Sequence, residues 1–319
     1  MNKEKSYHKV FITGAEGFVG QHLAQYLSSQ NYEVSGIYFV PPQKSIGELY
    51  QCDIRNRAEL LNILKKVSPD AIFHLAGQSS VSQAEKKLSD TLAINTQGTL
   101  NLLDVVKELR LKTRFVYISS SDIYGTTANL TDKLTEQSNA NPVSFYAISK
   151  YFAEKICLYY VEHFNLDVII LRPFSHTGPG QSEIFIFPKI AKKIAEIENG
   201  IIEPIITVGN LDVRRDYSDI NDITKAYRLA MERCKTGEIY NITSGKSYSI
   251  RFGIEYLLSL SKKKIEVNTN EELVRNNDIP LLTGSAEKFI QETGWKPQID
   301  FVTTLGELLA YYRAKINQS

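Results

Sequence analysis

Three glycines constrain this chain most. Gly14, Gly17 and Gly20 in the run VFITGAEGFVGQHL follow directly on an apolar strand and open a helix that carries Leu23, Ala24 and Leu27. In a strand that passes straight into a helix, the first glycine allows the tight turn and the second lets backbone approach a phosphate. The third lets helix and sheet pack closely, with the helix N-terminus facing an anion. The bland alternative is a tight structural junction, so the rest of the chain has to decide.

Short apolar runs alternate with amphipathic stretches from residue 10 to about 172. The candidate strands are 10–12, 33–39, 71–75, 115–119 and 168–171. Leu60, Leu61, Leu64 and Val67 put a helix over 57–67, and Leu88, Leu92, Thr99, Leu102, Leu103 and Val106 put a core-facing helix over 88–109. This rhythm predicts βαβ units and a doubly wound α/β fold, its parallel sheet covered on both faces. After Pro173 the alternation loosens around TGPGQ, which predicts a smaller mixed α/β lobe over 174–319 beside a nucleotide-binding lobe over 1–173. A helix and strand within about 216–243 are expected to rejoin the first sheet.

The 37 basic and 36 acidic side chains nearly cancel, so no broad field draws in nucleic acid or a membrane surface, and an anionic ligand must be gripped locally. Cys52, Cys157 and Cys234 lack CxxC or metal-ligand spacing, which predicts buried free thiols, a reducing compartment and no metal site. The polar start MNKEKSYHK has no signal-peptide stretch, and no apolar run approaches the ~18 residues of a membrane span. A soluble, cytoplasmic protein is expected.

Tyr146 and Lys150 stand in FYAISK, one helical turn apart on one face. A phenol ordinarily ionises near ~10, and a neighbouring ammonium favours its ionised form, which suits proton exchange with a substrate oxygen. The same lysine can hold a nicotinamide ribose. Upstream, Ser119, Ser120, Ser121 and Asp122 close an apolar strand before Tyr124-Gly125, where a hydroxyl can hydrogen-bond a carbonyl being reduced or an alcohol being oxidised. YxxxK alone occurs by chance on surface helices. The order of glycine turn, serine strand end and YxxxK in one doubly wound unit is what points to chemistry.

TGAEGFVG, HLAGQSSV, ISSSDIYG and YAISK, in that order, resemble the extended short-chain dehydrogenases. These are NAD(P)-dependent nucleotide-sugar epimerases, dehydratases and reductases built on a Rossmann sheet, and the resemblance spans nearly the whole chain. It implies that Gly14, Gly17, Phe18 and Gly20 form the cofactor loop, that Asp53 with Ile54 meets the adenine, and that Leu75, Ala76 and Gly77 lie along the cofactor. Asp53 can equally cap the following helix. Aligning on Tyr124-Gly125 makes Ser120 the catalytic hydroxyl, with Ser121 the adjacent candidate, alongside Tyr146 and Lys150. Asp122 falls where dehydratases carry a glutamate that assists water loss, or it only completes the turn before Gly125. Tyr38 or Phe39 stands where an acidic residue would hold the ribose 2′-hydroxyl of NAD, and the nearest base is Lys44. That pattern favours NADP(H), with NAD(H) open.

LRPFSHTGPGQ, VGNLDVRRDYSDINDI and VRNNDIPLLTGSAEKFIQETGWKP resemble the family's reductases of GDP-4-keto-6-deoxymannose and, less closely, its GDP-mannose 4,6-dehydratases. Arg215 and Arg275 are then candidates to grip a diphosphate through forked contacts, with Lys189 a third. Taken singly, each would read as a solvated or ion-paired side chain. The family segment RPFNH reads RPFSH here, so Ser175 replaces an asparagine that helps hold the phosphate. His176 remains, as a substrate contact or as a packed structural histidine.

The resemblance implies an NAD(P)H-dependent reductase acting on the C4 ketone of a GDP-linked 4-keto-6-deoxy sugar, hexose or heptose. The alternatives are a 4,6-dehydratase or 4-epimerase with retained cofactor, and a nucleotide-binding sensor without turnover. The character of YAISK and the missing basic loop after the second strand count against the dehydratase, and the presence of both Tyr146 and Lys150 counts against the sensor. A homodimer is expected through 88–109 and 146–163, the latter bearing Phe152, Tyr159 and Tyr160 with Phe164 beside it.

Overall fold

The computed structural model describes residues 7–42, 45–270 and 279–317. Apolar runs form β1 (Lys9–Thr13), β2 (Glu33–Tyr38), β3 (Glu48–Gln51), β4 (Ala71–His74), β5 (Arg114–Ile118) and β6 (Asp167–Pro173). Shorter strands follow: β7 (Ser175–Thr177), β8 (Ile205–Val208), β9 (Arg214–Asp219), β10 (Ile239–Ile242), β11 (Ser247–Ser249), β12 (Glu266–Thr269) and β13 (Leu281–Leu282). In the first lobe the helices are α1 (Phe18–Ser29), α2 (Arg57–Val67), α3 (Val81–Lys86), α4 (Leu88–Leu92), α5 (Gly98–Glu108) and α6 (Phe145–Phe164). Beyond it come α7 (Ile186–Glu198), α8 (Ile220–Arg233), α9 (Ile250–Ser259), α10 (Glu287–Thr293) and α11 (Phe301–Ile316).

Seven strands make one sheet in the order β10-β6-β5-β4-β1-β2-β3, and every pairing in it is parallel. Val10 of β1 stands opposite Val34 of β2 on one side and Ala71 of β4 on the other. The strand order reverses at β1, so the carboxyl ends of β1 and β4 flank the crevice where such sheets bind ligands. One face of the sheet is covered by α1, α8 and α10 through Leu23, Leu27, Tyr227 and Phe289, and the other by α2, α5 and α6 through Leu60, Leu64, Leu102 and Cys157. Burial on both faces is why Phe11-Ile12 and Ile169-Ile170 read as continuous apolar runs instead of alternating. Each such side chain contributes about 1.5–3 kcal/mol relative to exposure.

β10 lies beside β6, with Ile239 opposite Ile170, and α8 packs against α1. Residues 216–219, by contrast, belong to β9, the centre of a small mixed sheet flanked by β11 and β13 and joined by β7. A separate core of α7, α9 and α11 closes on this lobe through Phe187, Ile190, Ile194, Leu305 and Leu308. The helix expected over 88–109 is broken: α4 ends at Leu92, a π-helical turn occupies Ala93–Gln97, and α5 begins at Gly98. The wider turn rotates what precedes it, so Leu88 and Leu92, expected to face the core, are 45% and 40% exposed. All three cysteines are buried and free. Among the described residues no helix is long and apolar enough to cross a membrane.

Candidate active site

The turn after β1 is shaped by what glycine lacks. Gly14 has φ +70°, and a Cβ there would come within 2.9 Å of the Ala76 nitrogen in the turn after β4. A Cβ on Gly20 would overlap the Gly14 carbonyl. The N-cap of α1 is Gly17, and no side chain caps the helix, so its first-turn N–H groups keep no side-chain partner. A helix start of this kind holds an anion. These turns border a cavity of about 590 Å³ between the two lobes. Gly14, Gly17, Phe18, Gly20, Asp53, Ile54, Leu75, Ala76 and Gly77 line it, and so do Ser120, Ser121, Asp122, Tyr146 and Lys150. The glycine cradle, the uncapped helix and a volume in the range of small-molecule sites together fit a dinucleotide.

Asp53 is forked by Arg55, whose Nη2 donates to Oδ2 at 2.6 Å and whose Nε lies 3.0 Å from both oxygens. That guanidinium holds the Asp53 carboxyl below the usual carboxylate range. Asp53 does not cap α2: the cap is Asn56, whose side chain accepts from the Glu59 N–H at 3.2 Å.

Behind the turns runs a buried hydrogen-bond chain. The Ala76 N–H donates to Thr13 Oγ1 at 3.0 Å, and Thr13 Oγ1 meets His74 Nδ1 at 2.8 Å. His74 Nε2 meets Thr99 Oγ1 at 2.9 Å, and Thr99 Oγ1 donates to the Asn95 carbonyl at 2.7 Å. Thr99 spends its proton on a carbonyl, so Nε2 must donate and Nδ1 accept, which fixes a neutral imidazole in one tautomer. Burial, with a smaller push from the Lys150 charge, lowers His74 to about 3. Asn95, in the π-helical turn, accepts from the Gln78 N–H at 2.7 Å and donates to Ser149 Oγ at 2.9 Å. The turn after β4 is thereby tied to the helix that carries Tyr146. Sequence reading did not single out Asn95; its signal was an amide on a helix otherwise patterned for a core.

α6 starts at an N-cap, Ser144, whose hydroxyl accepts from the Ala147 N–H at 3.1 Å, and this places Tyr146 and Lys150 in the first two turns. The hydroxyl that meets the Tyr146 phenol is that of Ser120, while Ser121 is buried beside it. The Asp122 N–H donates to Ser120 Oγ at 3.1 Å. Burial pushes the phenol well above its ordinary range and the Asp122 carboxylate pushes the same way, against the pull of the Ser120 bond. Lys150 is lowered to about 8, again chiefly by burial, with its Nζ 4.7 Å from the Tyr117 ring centroid. The expected lowering of the phenol by Lys150 is therefore not found: burial first, and then the Asp122 carboxylate, set the direction. A phenol kept protonated is a proton donor, the form that ketone reduction needs.

A buried pair braces this corner. Arg172 of β6 donates from Nε and Nη2 to the two Glu154 oxygens of α6 at 2.9 and 2.7 Å, and from Nη1 to the Tyr124 hydroxyl at 3.1 Å.

On the second-lobe side Ser175 and His176 line the cavity from β7. His176 Nδ1–H donates to the Phe174 carbonyl at 3.0 Å, which leaves Nε2 as an acceptor, and its ring lies 6.4 Å from that of Phe18, nearly parallel. Burial lowers His176 below its ordinary value. Two expected phosphate contacts are not brought to the cavity. Arg215 Nη1 donates to the Ile279 carbonyl at 2.6 Å and the Arg214 carbonyl at 2.9 Å, and the residue does not line the cavity. Lys189 is exposed on α7, whose Phe187 and Ile190 turn inward instead. Arg275 and Lys44 lie outside the described residues.

The profile of the GDP-mannose 4,6 dehydratase family matches residues 11–308. GDP-6-deoxy-D-mannose reductase from Pseudomonas aeruginosa is 33% identical over 315 residues, covering 97% of this chain and 99% of that protein. GDP-6-deoxy-D-talose 4-dehydrogenase from Aggregatibacter actinomycetemcomitans is 30% identical over 288 residues, covering 90% and 91%. The solved structure of RMD from Pseudomonas aeruginosa complexed with NADPH is similar with a TM-score of 0.87 at 32% identity, covering 97% of this chain and 99% of that one.

Proposed function

The chain belongs to the GDP-mannose 4,6 dehydratase family of extended short-chain dehydrogenases, NAD(P)-dependent oxidoreductases of nucleotide sugars, and from that premise we propose that it reduces the C4 ketone of a GDP-linked 4-keto-6-deoxy sugar. The observation that carries this reading is the placement of Tyr146, Ser120 and Lys150 around the one cavity that the glycine turn borders, with Tyr146 and Lys150 one helical turn apart. Two of its relatives, at 33% and 30% identity, are a reductase and a 4-dehydrogenase, both named for redox chemistry on GDP-6-deoxy sugars.

In this mechanism Gly14, Gly17, Phe18, Gly20 and the start of α1 hold the pyrophosphate. Asp53 and Ile54 border the adenine, Leu75, Ala76 and Gly77 lie along the cofactor, and Lys150 holds the nicotinamide ribose. Bound there, the reduced nicotinamide supplies a hydride. Ser120 hydrogen-bonds the ketone oxygen and polarises it, Tyr146 delivers its proton to that oxygen, and Lys150 stabilises the phenolate left behind. Ser175 and His176 face the sugar nucleotide, with Ser175 reaching a phosphate through a water where an asparagine would reach it directly.

One observation favours a second reading, a 4,6-dehydratase: Asp122 lines the same cavity as Tyr146, where an acid or base for water loss would stand. Following reduced-nicotinamide absorbance while product is quantified separates the two. With a 4-keto GDP-sugar the reductase consumes one reduced cofactor per product. Water loss from GDP-mannose with no net oxidation would instead make Asp122 the dehydratase acid.

The protein acts as a homodimer in this reading. Ile148, Phe152 and Tyr159 form one stripe on α6, with Phe152 60% exposed, beside the exposed Leu88 and Leu92. Such a contiguous apolar face is more than a monomer ordinarily leaves in water. Sedimentation at micromolar concentration that shows only monomer would contradict it.

A further inference from the structure

Sheets of this kind commonly bind NAD through an acidic side chain at the carboxyl end of β2, which accepts from the ribose 2′-hydroxyl. β2 ends here at Tyr38, and neither Tyr38 nor Phe39 carries a carboxylate. The glycine turn supplies one from the other side. Glu16 Oε1 accepts from the Phe39 N–H at 2.9 Å, which sets the Glu16 carboxylate at the residue directly after β2. Its second oxygen, Oε2, is shut off from solvent and has no hydrogen-bond partner among the described residues. Glu16, Tyr38, Phe39, Asp53 and Arg55 all line the cavity.

Oε2 is as closed to a ligand as it is to water, so what the Glu16 carboxylate brings to the cavity is its negative charge. A ribose 2′-hydroxyl is neutral and meets no repulsion from it. A 2′-phosphate brings negative charge and acceptor oxygens, and would meet the carboxylate as a like charge. The Phe39 N–H, a donor such a phosphate would use, is already committed to Glu16, and Arg55 spends its Nε and Nη2 on Asp53.

We propose that Glu16 makes this protein select NAD(H) over NADP(H), by holding its carboxylate where the adenosine ribose carries its 2′ substituent. This reverses the expectation drawn from Tyr38 and Phe39, because the acid comes from the glycine turn and not from β2. The proposal rests on the reading of this cavity as the dinucleotide site.

Calorimetric titration of the full chain with NADH and NADPH, without sugar substrate, tests it. The parent protein should bind NADH at least about 10-fold more tightly, and Glu16→Gln should bring NADPH within about 3-fold of NADH while weakening NADH by less than about 5-fold. A second measurement needs no variant: 5′-AMP should displace NADH from the parent protein at least about 10-fold better than adenosine 2′,5′-bisphosphate does. Equal or tighter binding of NADPH by the parent, or a preference unchanged by Glu16→Gln, would overturn the proposal and leave the dinucleotide site standing. The same holds if a preference for NADPH were found and then lost in Lys44→Ala. If the parent bound neither dinucleotide, the reading of the cavity would fall, and the proposal with it.

Discussion

At the glycine turn the backbone makes the site, whereas on the sugar side long side chains were expected to make it. Gly14 and Ala76 meet where no Cβ fits, and α1 begins uncapped at Gly17. Nothing in that arrangement depends on a rotamer, so the strand, turn and helix spacing carries over directly into geometry. Arg215 and Lys189 have the charge for a diphosphate, but neither lines this cavity: Arg215 donates to the Ile279 carbonyl and Lys189 is exposed. A sequence position fixes where a flexible side chain starts, and packing decides where its charge ends up.

Variants can break or sharpen this contrast. The largest effect is expected at Tyr146: Tyr146→Phe should lower kcat by at least about 100-fold and leave the dissociation constant of the reduced dinucleotide nearly unchanged, as removal of a positioned proton donor does. A parent rate from the Phe variant would place the proton elsewhere. Lys150→Met should cost about 10- to 100-fold in kcat/KM and also weaken dinucleotide binding, since one ammonium serves both.

The Lys150 charge also sets a pH dependence. Lys150 is lowered to about 8 in the free protein, and an anionic ligand favours the charged form. Dinucleotide affinity should therefore be fully present below about 8 and decline as pH rises through that value. Calorimetry across that range checks the sign, and Lys150→Met should flatten the profile.

Smaller effects are expected on the second-lobe side. Ser175→Asn, which restores the family's residue, should lower the KM for the sugar nucleotide about 3-fold with kcat unchanged, because it adds a ground-state contact. Lys189→Ala should change KM by less than about 2-fold. A 10-fold rise would bring Lys189 into the site and erase the contrast.

The parallel sheet was legible because burial on both faces leaves unbroken apolar runs, and β1, β4, β5 and β6 lie where those runs stand. β3 was not legible: its ELYQ is half polar and sits at the sheet edge, where only one neighbour needs satisfying. The π-helical turn was hidden because its residues continue a helical pattern, and the rotation it imposes shows only in the exposure of Leu88 and Leu92. In the candidate site, Tyr146, Lys150 and Ser120 could be found from spacing and order. The ionisation of Tyr146 and Lys150 could not, because it is set first by burial, with Asp122 adding to the shift of Tyr146, and these are properties of the folded chain. Glu16 was invisible for a related reason: reaching the Phe39 N–H is a property of two turns brought together by β1 and β2.

The central claim is that a hydride passes from the nicotinamide to C4 of the sugar and stays there. Supplying the protein with a 4-keto GDP-sugar and reduced cofactor deuterated at the transferable position, then locating the label by mass spectrometry and NMR, tests this most directly. The account predicts one deuterium per product molecule, bonded to C4, and an equal amount of oxidised cofactor. An unlabelled product formed while the deuterium stays on the cofactor would contradict it.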